Sequence, residues 1–271
     1  MSPISRRRFV AATAMAGILA RFRNAIAQTV STSAGPADPK LIEDLVAANR
    51  ILAAQGVVDG YGHVSVRHDR DANRYLMSRS IAPELVTAGD IMEYDLDSNA
   101  VDPKGRTSYL ERFIHGEIYK LRPDVKSIVH NHSPSVIPFS VTTAPLKPLY
   151  HMSAFLAAGV PIWDIRAAAG GPTDMLVRNA ALGRALATSL GAAPVALMRG
   201  HGAVVVGTAL PQAVFRSVYT EINAKLQAQA MTLGGPVTYL DVEEAKKVDA
   251  AGGGTYERAW ELAKKKALGG R

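Results

Sequence analysis

Two histidines stand at i and i+2 in the run SIVHNHSPS, residues 127–135, which otherwise reads as a buried strand. Alternate side chains of a strand share a face, so His130 and His132 point the same way, a chelating arrangement for a metal ion. An isolated H-x-H pair equally fits one packed ring and one solvated ring. His201 sits between Gly200 and Gly202, where the backbone can come close to another surface. Alone, it reads as an ordinary turn histidine. Glu111 falls in the first turn of an expected helix, off the Leu110–Phe113–Ile114 face, where a solvated acid favoured by the helix dipole is the plain explanation. Taken together, three imidazoles and one carboxylate suit a borderline divalent ion such as zinc, manganese, iron or cobalt. The chain has no cysteine, so a metal here would be held by His, Asp or Glu, and disulfides play no part in the fold.

These residues need elements to position them. Asp38-Pro39 predicts a helix start, with Leu41, Ile42, Leu45, Val46 and Leu52 on one face and a stop at Gly56. GYGHVSVR, residues 60–67, reads as a glycine turn entering a strand, and RYLMSRS, residues 74–80, as another. Residues 90–101 alternate like a hairpin turning at Asp97-Ser98-Asn99. A second helix is expected from Thr107-Ser108 to Arg122-Pro123, burying Leu110, Phe113, Ile114, Ile118 and Leu121. SIVHNH follows as a strand, and Ala157 to Ile165 is less regular. Asn179 to Leu190 reads as a helix ending at Gly191, and residues 195–207 as two short strands around Gly200-His201-Gly202. Pro211 opens a long helix to about Met231. The tail after Gly234 is charged, and flexibility is expected beyond about residue 240, with a flexible run at Gly252 to Gly254. Helices and strands mix without regular βαβ alternation, which predicts an α/β fold whose sheet need not be parallel.

The formal net charge of +7 overstates the basicity of the body. Residues 1–27 carry five arginines and no acid, leaving 26 basic and 24 acidic residues for the rest. That balance argues against a nucleic-acid partner. The front end has a basic stretch, a short apolar stretch from Phe9 to Ala20 and the small-residue site Ala25-Ile26-Ala27. This is the plan of a cleaved export signal, and Ser5-Arg6-Arg7-Arg8-Phe9-Val10 resembles a twin-arginine motif. The expected layout is an export signal over 1–27, a linker over 28–37 and one domain over 38–271. The expected location is the periplasm, with no membrane attachment after cleavage. An uncleaved basic helix on a cytoplasmic protein is the alternative.

ERFIHGEIYKLRPDVKSIVHNH, residues 111–132, followed by RGHG, residues 199–202, resembles the class II aldolase/adducin family, over about Leu41 to Met231. The resemblance implies a three-layer α/β fold, a central mostly antiparallel sheet flanked by helices. It implies His130, His132 and His201 as ligands of one divalent metal per chain, with zinc or manganese ahead of iron or cobalt. Glu111 would be the acid/base or a fourth ligand. The family usually forms homotetramers with active sites at subunit interfaces.

The departures from the family's sugar-phosphate aldolases bear on substrate. Their small, hydroxyl-rich phosphate cradle is replaced here by Gly62-His63, Ser78-Arg79 and Tyr109-Leu110. Arg79 could grip a planar carboxylate, and His63 and Tyr109 could hydrogen-bond a phenolate or carboxylate. A small-molecule carboxylate or carbonyl compound is therefore expected in place of a sugar phosphate. GHVSVR, LMSRSIAPELVTAGDI, VHNHSPSVIPF and MRGHGAVVVG are similar to the decarboxylases of hydroxy-aromatic dicarboxylates. The implied activity is a metal-dependent carbon–carbon lyase, by nonoxidative decarboxylation. Aldol cleavage or epimerisation of a non-phosphorylated hydroxy-carbonyl compound is the alternative, followed by an adducin-like assembly module without catalysis and by an oxygenase. His115 is expected either to orient Glu111 or to pack. Tyr150-His151 are candidates to face a neighbouring subunit. His68, Glu117 and Lys120 are expected to be solvated.

Overall fold

The computed structural model describes residues 32–251 and 255–269. The expected export signal, residues 28–31 of the linker and the Gly252–Gly254 run lie outside them. The elements are α1 (Pro39–Ala54), β1 (His63–Arg67), β2 (Arg74–Ser78), β3 (Ile91–Asp95), β4 (Ala100–Val101), α2 (Phe113–Leu121) and β5 (Ser127–Asn131). Then come α3 (Ile137–Val141), β6 (Ile162–Trp163), α4 (Ile165–Ala169), α5 (Ala180–Leu190), β7 (Val195–Met198), β8 (Gly202–Gly207), α6 (Leu210–Thr232), α7 (Val242–Ala251) and α8 (Thr255–Ala267).

Local chemistry sets the element ends. The Asp38 carboxylate accepts from Lys40 N at 2.8 Å, and Pro39 takes a first-turn position whose N–H would have had no partner. Asn179 caps α5 through Leu182 N at 3.0 Å. The β3–β4 turn uses Ser98 at φ 65, with Asn99 N donating to Asp95 Oδ1 at 2.8 Å.

Among the described residues, eight strands form one sheet in the order β4-β3-β2-β1-β5-β8-β7-β6. Every neighbouring pair is antiparallel except β6–β7. Strand alternation sends Val64, Val66, Val129, Ala203 and Val205 to one face, where they meet α1 and α6. It sends Ile128, Val204 and Val206 to the other, where they meet Ile114 and Ile118 of α2 and Leu186 and Leu190 of α5. His63, Ser65 and His130 share the parity of this second face, and His63 pairs directly with His130 across β1–β5.

Several expectations need correction. The second helix begins later, because Leu110–Arg112 form a 3₁₀ turn with Glu111 at φ −90°, ψ 18°. That slip takes Leu110 off the apolar face, and Leu110 and Leu121 are exposed while Ile114 and Ile118 are buried. Glu117 is buried, not solvated: a neighbouring helix residue, Arg184, pairs with it at 2.9 Å and Lys120 at 2.6 Å. Lys120 also holds Asp97 at 2.7 Å. His68 is buried too, between Arg70 N (3.1 Å to Nδ1) and the Gly35 carbonyl (3.2 Å from Nε2). The charged tail, expected to be loose, forms α7 and α8. Trp260 and Ala263 of α8 pack on the core beside α1 and α6, and Lys264 pairs with Glu43 and Asp44.

Candidate metal centre

Three chain segments converge at the end of the sheet. His130 is the fourth residue of β5, and His132 lies just past that strand's end, with 5.1 Å between the two ring centroids. His201 sits in the β7–β8 turn, where His201 N donates to Met198 O at 3.0 Å. Ser140 clamps this turn: its hydroxyl accepts from Gly200 N at 2.9 Å and donates to Ile137 O at 2.7 Å. Gly202 makes the approach possible, since a Cβ there would lie 2.0 Å from the Asn131 carbonyl oxygen and 2.9 Å from His132 Cα. Glu111 reaches in from the 3₁₀ turn ahead of α2 and is buried.

The potential ligand atoms of Glu111, His130, His132 and His201 all lie within 4.8 Å of one another. Glu111 Oε2 is 3.4 Å from His130 Nε2 and 3.6 Å from His201 Nε2, and His201 Nε2 is 3.0 Å from His132 Nε2. Ligand atoms about 2.1 Å from a tetrahedral ion are separated by roughly 3.4 Å, so the set has the right size. The outer contacts fix the tautomers. His130 Nδ1–H donates to Ala203 O at 3.2 Å, and His201 Nδ1–H donates to Met175 O at 3.0 Å. Both Nε2 lone pairs are thereby turned to the centre. Among the described residues His130 Nε2 is buried without a hydrogen-bond partner, a costly state for a polar atom and one that a cation would relieve. On this donor chemistry the residues fit a divalent metal.

One loop supplies two of the supporting groups. Val177 N donates to Glu111 Oε1 at 2.9 Å, and Met175, at φ 67, offers the carbonyl that orients His201. A left-handed non-glycine residue is strained, and here the strain accompanies a positioning contact.

Burial alone would raise the Glu111 carboxyl, but His130 and His201 outweigh it and hold it well below the usual carboxylate range. Burial, then His130 and His201, push His132 down to about 4. Burial, then His130, take His115 to about 3, and burial foremost also lowers His63. Burial alone would lower His201, yet Glu111 and the Met175 carbonyl raise it. An unfolded histidine titrates near 6.5. Below that pH the unfolded metal-free chain takes up protons that folded His63, His115 and His132 do not, so acid destabilises the fold. His201 works the other way: its contribution is present below about 6.5 and lost as pH rises through its raised value. With three groups against one, the urea midpoint of metal-free protein is expected to fall from about pH 7 to about pH 5. A flat profile would show that these histidines protonate freely in the fold.

The remaining predicted residues divide. Gly62, at φ 91, lets its backbone pass His130 O, which an added Cβ would meet at 3.0 Å. His63 is buried with its ring 5.1 Å from that of His130 and 4.6 Å from that of Tyr109. Tyr109 lends the site its ring and not its hydroxyl, which donates to Ile81 O and lies 3.1 Å from Ser78 Oγ. A buried phenol must find partners, and these are local ones. Ser78 is engaged by the same contact. Arg79 Nε donates to Asp90 Oδ1 at 2.6 Å, and no hydrogen bond or ion pair ties it to the four-residue cluster. His115 contacts His63 and Ser65, with no hydrogen bond to Glu111. His151 is exposed and Tyr150 packs toward Tyr219, 6.4 Å between ring centroids. Met175, Val177, Ser140, Ser65 and Tyr119 were not singled out by the sequence reading. Only Ser65 carried a signal, sharing a strand face with His63.

Residues 43–228 match the family model described as Class II Aldolase and Adducin N-terminal domain. The chain belongs to the class II aldolase and adducin family. Within it, decarboxylase tropJ of Talaromyces stipitatus is 40% identical over 204 residues, which cover 71% of this chain and 77% of that one. A 3,4-dihydroxyphthalate decarboxylase of Arthrobacter keyseri is 32% identical over 233 residues, 80% of this chain and 90% of that one. A solved L-fuculose 1-phosphate aldolase from Glaciozyma antarctica PI12 superposes with TM-score 0.70 at 24% identity, covering 85% and 90% of the two chains. The last likeness is one of fold, and it agrees with the class II aldolase architecture that the resemblance implied.

Proposed function

We propose that this family member is a divalent-metal-dependent lyase that removes CO2 from a hydroxy-aromatic carboxylate or dicarboxylate without an oxidant. The observation that carries the reading is the Glu111–His130–His132–His201 cluster, two members buried and two half-buried, beside His63 and Tyr109, in a chain that aligns over most of its length with named decarboxylases. A cation held there would act as a Lewis acid, stabilising negative charge that develops on an ortho oxygen. In the reaction the ring–carboxyl C–C bond breaks, CO2 leaves, its bonding pair stays on the ring carbon, and a proton replaces it there. Glu111 would carry that proton, a role supported by Val177 N holding Oε1 while Oε2 faces the cluster. His63, whose ring centroid lies 5.1 Å from that of His130, would meet the substrate beside the cluster.

Metal-loaded protein is expected to release CO2 from hydroxy-aromatic dicarboxylates, 3,4-dihydroxyphthalate among them, with no aldehyde formed and no oxygen consumed. Glu111→Gln keeps the shape but cannot carry a proton, and should lower kcat by about 100-fold or more. An aldehyde product would transfer the proposal to aldol cleavage, and oxygen uptake to an oxygenase. Folded, metal-loaded protein without turnover on this class would sink the decarboxylase reading.

A further inference from the structure

Behind the cluster runs a file of buried polar groups. His63 Nδ1 is 2.6 Å from His115 Nε2, His115 Nδ1 is 2.6 Å from Ser65 Oγ, and Ser65 Oγ is 2.8 Å from Tyr119 OH. All four side chains are buried. The file crosses from β1 to α2 and back, because His63 and Ser65 share a strand face while His115 and Tyr119 lie one turn apart on the helix.

Each short contact holds one proton, and the far end sets their direction. Tyr119 has two acceptors within reach, Ser65 Oγ at 2.8 Å and Lys126 O at 3.5 Å. The first is an ordinary hydroxyl hydrogen bond and the second is well beyond one. With the Tyr119 proton on Ser65, the Ser65 hydroxyl donates to His115 Nδ1. His115 then carries its proton on Nε2 and donates to His63 Nδ1. The neutral His63 ring must hold its proton on Nε2. Among the described residues Nε2 has no hydrogen-bond partner.

We propose that His115, backed by Ser65 and Tyr119, is a positioning residue that locks His63 in its Nε2–H tautomer, so that a neutral imidazole donates a hydrogen bond to a substrate oxygen beside the metal cluster. The identity of that oxygen rests on the decarboxylase reading; the tautomer does not. A histidine free to exchange its proton between the two ring nitrogens would also present the substrate with a bare lone pair where a donor is needed. Burial keeps His115 itself neutral, as the file requires.

The test is long-range 1H–15N correlation on the full chain with 15N-labelled histidine, metal-free and zinc-loaded. Wild-type His63 is expected to show a protonated Nε2 and a bare Nδ1. Tyr119→Phe removes the first proton of the file with little change of shape, and His115→Phe removes the donor. Both should give His63 a mixed or Nδ1–H tautomer. Wild-type His63 protonated on Nδ1, or a His63 tautomer unchanged in both variants, overturns the proposal. In CO2-release assays Tyr119→Phe should raise KM more than it lowers kcat, with kcat/KM down about 10-fold. A displaced tautomer with unchanged kcat/KM overturns the substrate half alone. If no hydroxy-aromatic substrate turns over, the decarboxylase reading fails, and the spectra still decide the lock.

Discussion

His132→Ala is expected to strip the protein of its metal. Wild-type chain prepared without chelator, or reconstituted with zinc or manganese, should hold about one ion per chain. The variant should bind more than about 100-fold more weakly, since loss of a ligand exceeds the effect of losing an outer-shell partner. His132 is the right position to alter. It is half-buried and lies past the end of β5, so alanine there leaves the strand pairing intact, whereas His130 is fully enclosed. Its removal also takes away one of the buried rings that stay neutral near pH 7, so the fold is not weakened on that account. Metal content by mass spectrometry of the native protein reads the result directly. Equal metal in variant and wild type would remove His132 from the ligand set. A folded wild type that takes up no ion would remove the metal altogether and favour an assembly module.

The largest effect on stability is expected from Gly202→Ala. Here backbone meets backbone: the new methyl would sit 2.0 Å from Asn131 O and 2.9 Å from the Asn131 carbonyl carbon. No side-chain rotation relieves that contact, so β8 must move off β5 where Asn131 pairs with Ala203. The cost should be about 3 kcal/mol or more, a fall in Tm of roughly 6–12 °C. The same movement draws His201 away from His132, so metal affinity should fall with it. Gly60→Ala is the control, because a methyl there meets nothing within 4 Å. Matching melting temperatures for the two variants would show that the strands tolerate separation.

Much of this was legible in the chain itself. The short apolar runs on either side of Gly200-His201-Gly202 placed two strands around His201, Asp38-Pro39 announced α1 through its capping chemistry, and the segment from Asn179 to Gly191 announced α5. The four residues that cluster could be read because they carry unusual side chains. Their supports could not, since Val177 and Met175 act through backbone groups that any residue possesses. The errors share a cause. Glu117 and His68 look solvated on local spacing, and only a distant partner, Arg184 in one case and Gly35 in the other, explains their burial. Tyr109 and Arg79 bear groups suited to a substrate, and three-dimensional neighbours already engage the Tyr109 hydroxyl and the Arg79 Nε. Side-chain type tells what a residue can bind, and three-dimensional neighbours decide what it does bind.

The loop that carries Met175 and Val177 has a consequence for how the centre is built. Two members of the cluster from distant parts of the sequence, Glu111 and His201, lean on backbone groups two residues apart. Neither can be oriented while the other is loose, because one peptide segment has to be seated for both. Seating of that segment orders Glu111 and His201 together, whereas His130 is held by β5 and the Ala203 carbonyl without it. Damage to one short peptide would therefore loosen two of the four side chains at once and leave the other two in place.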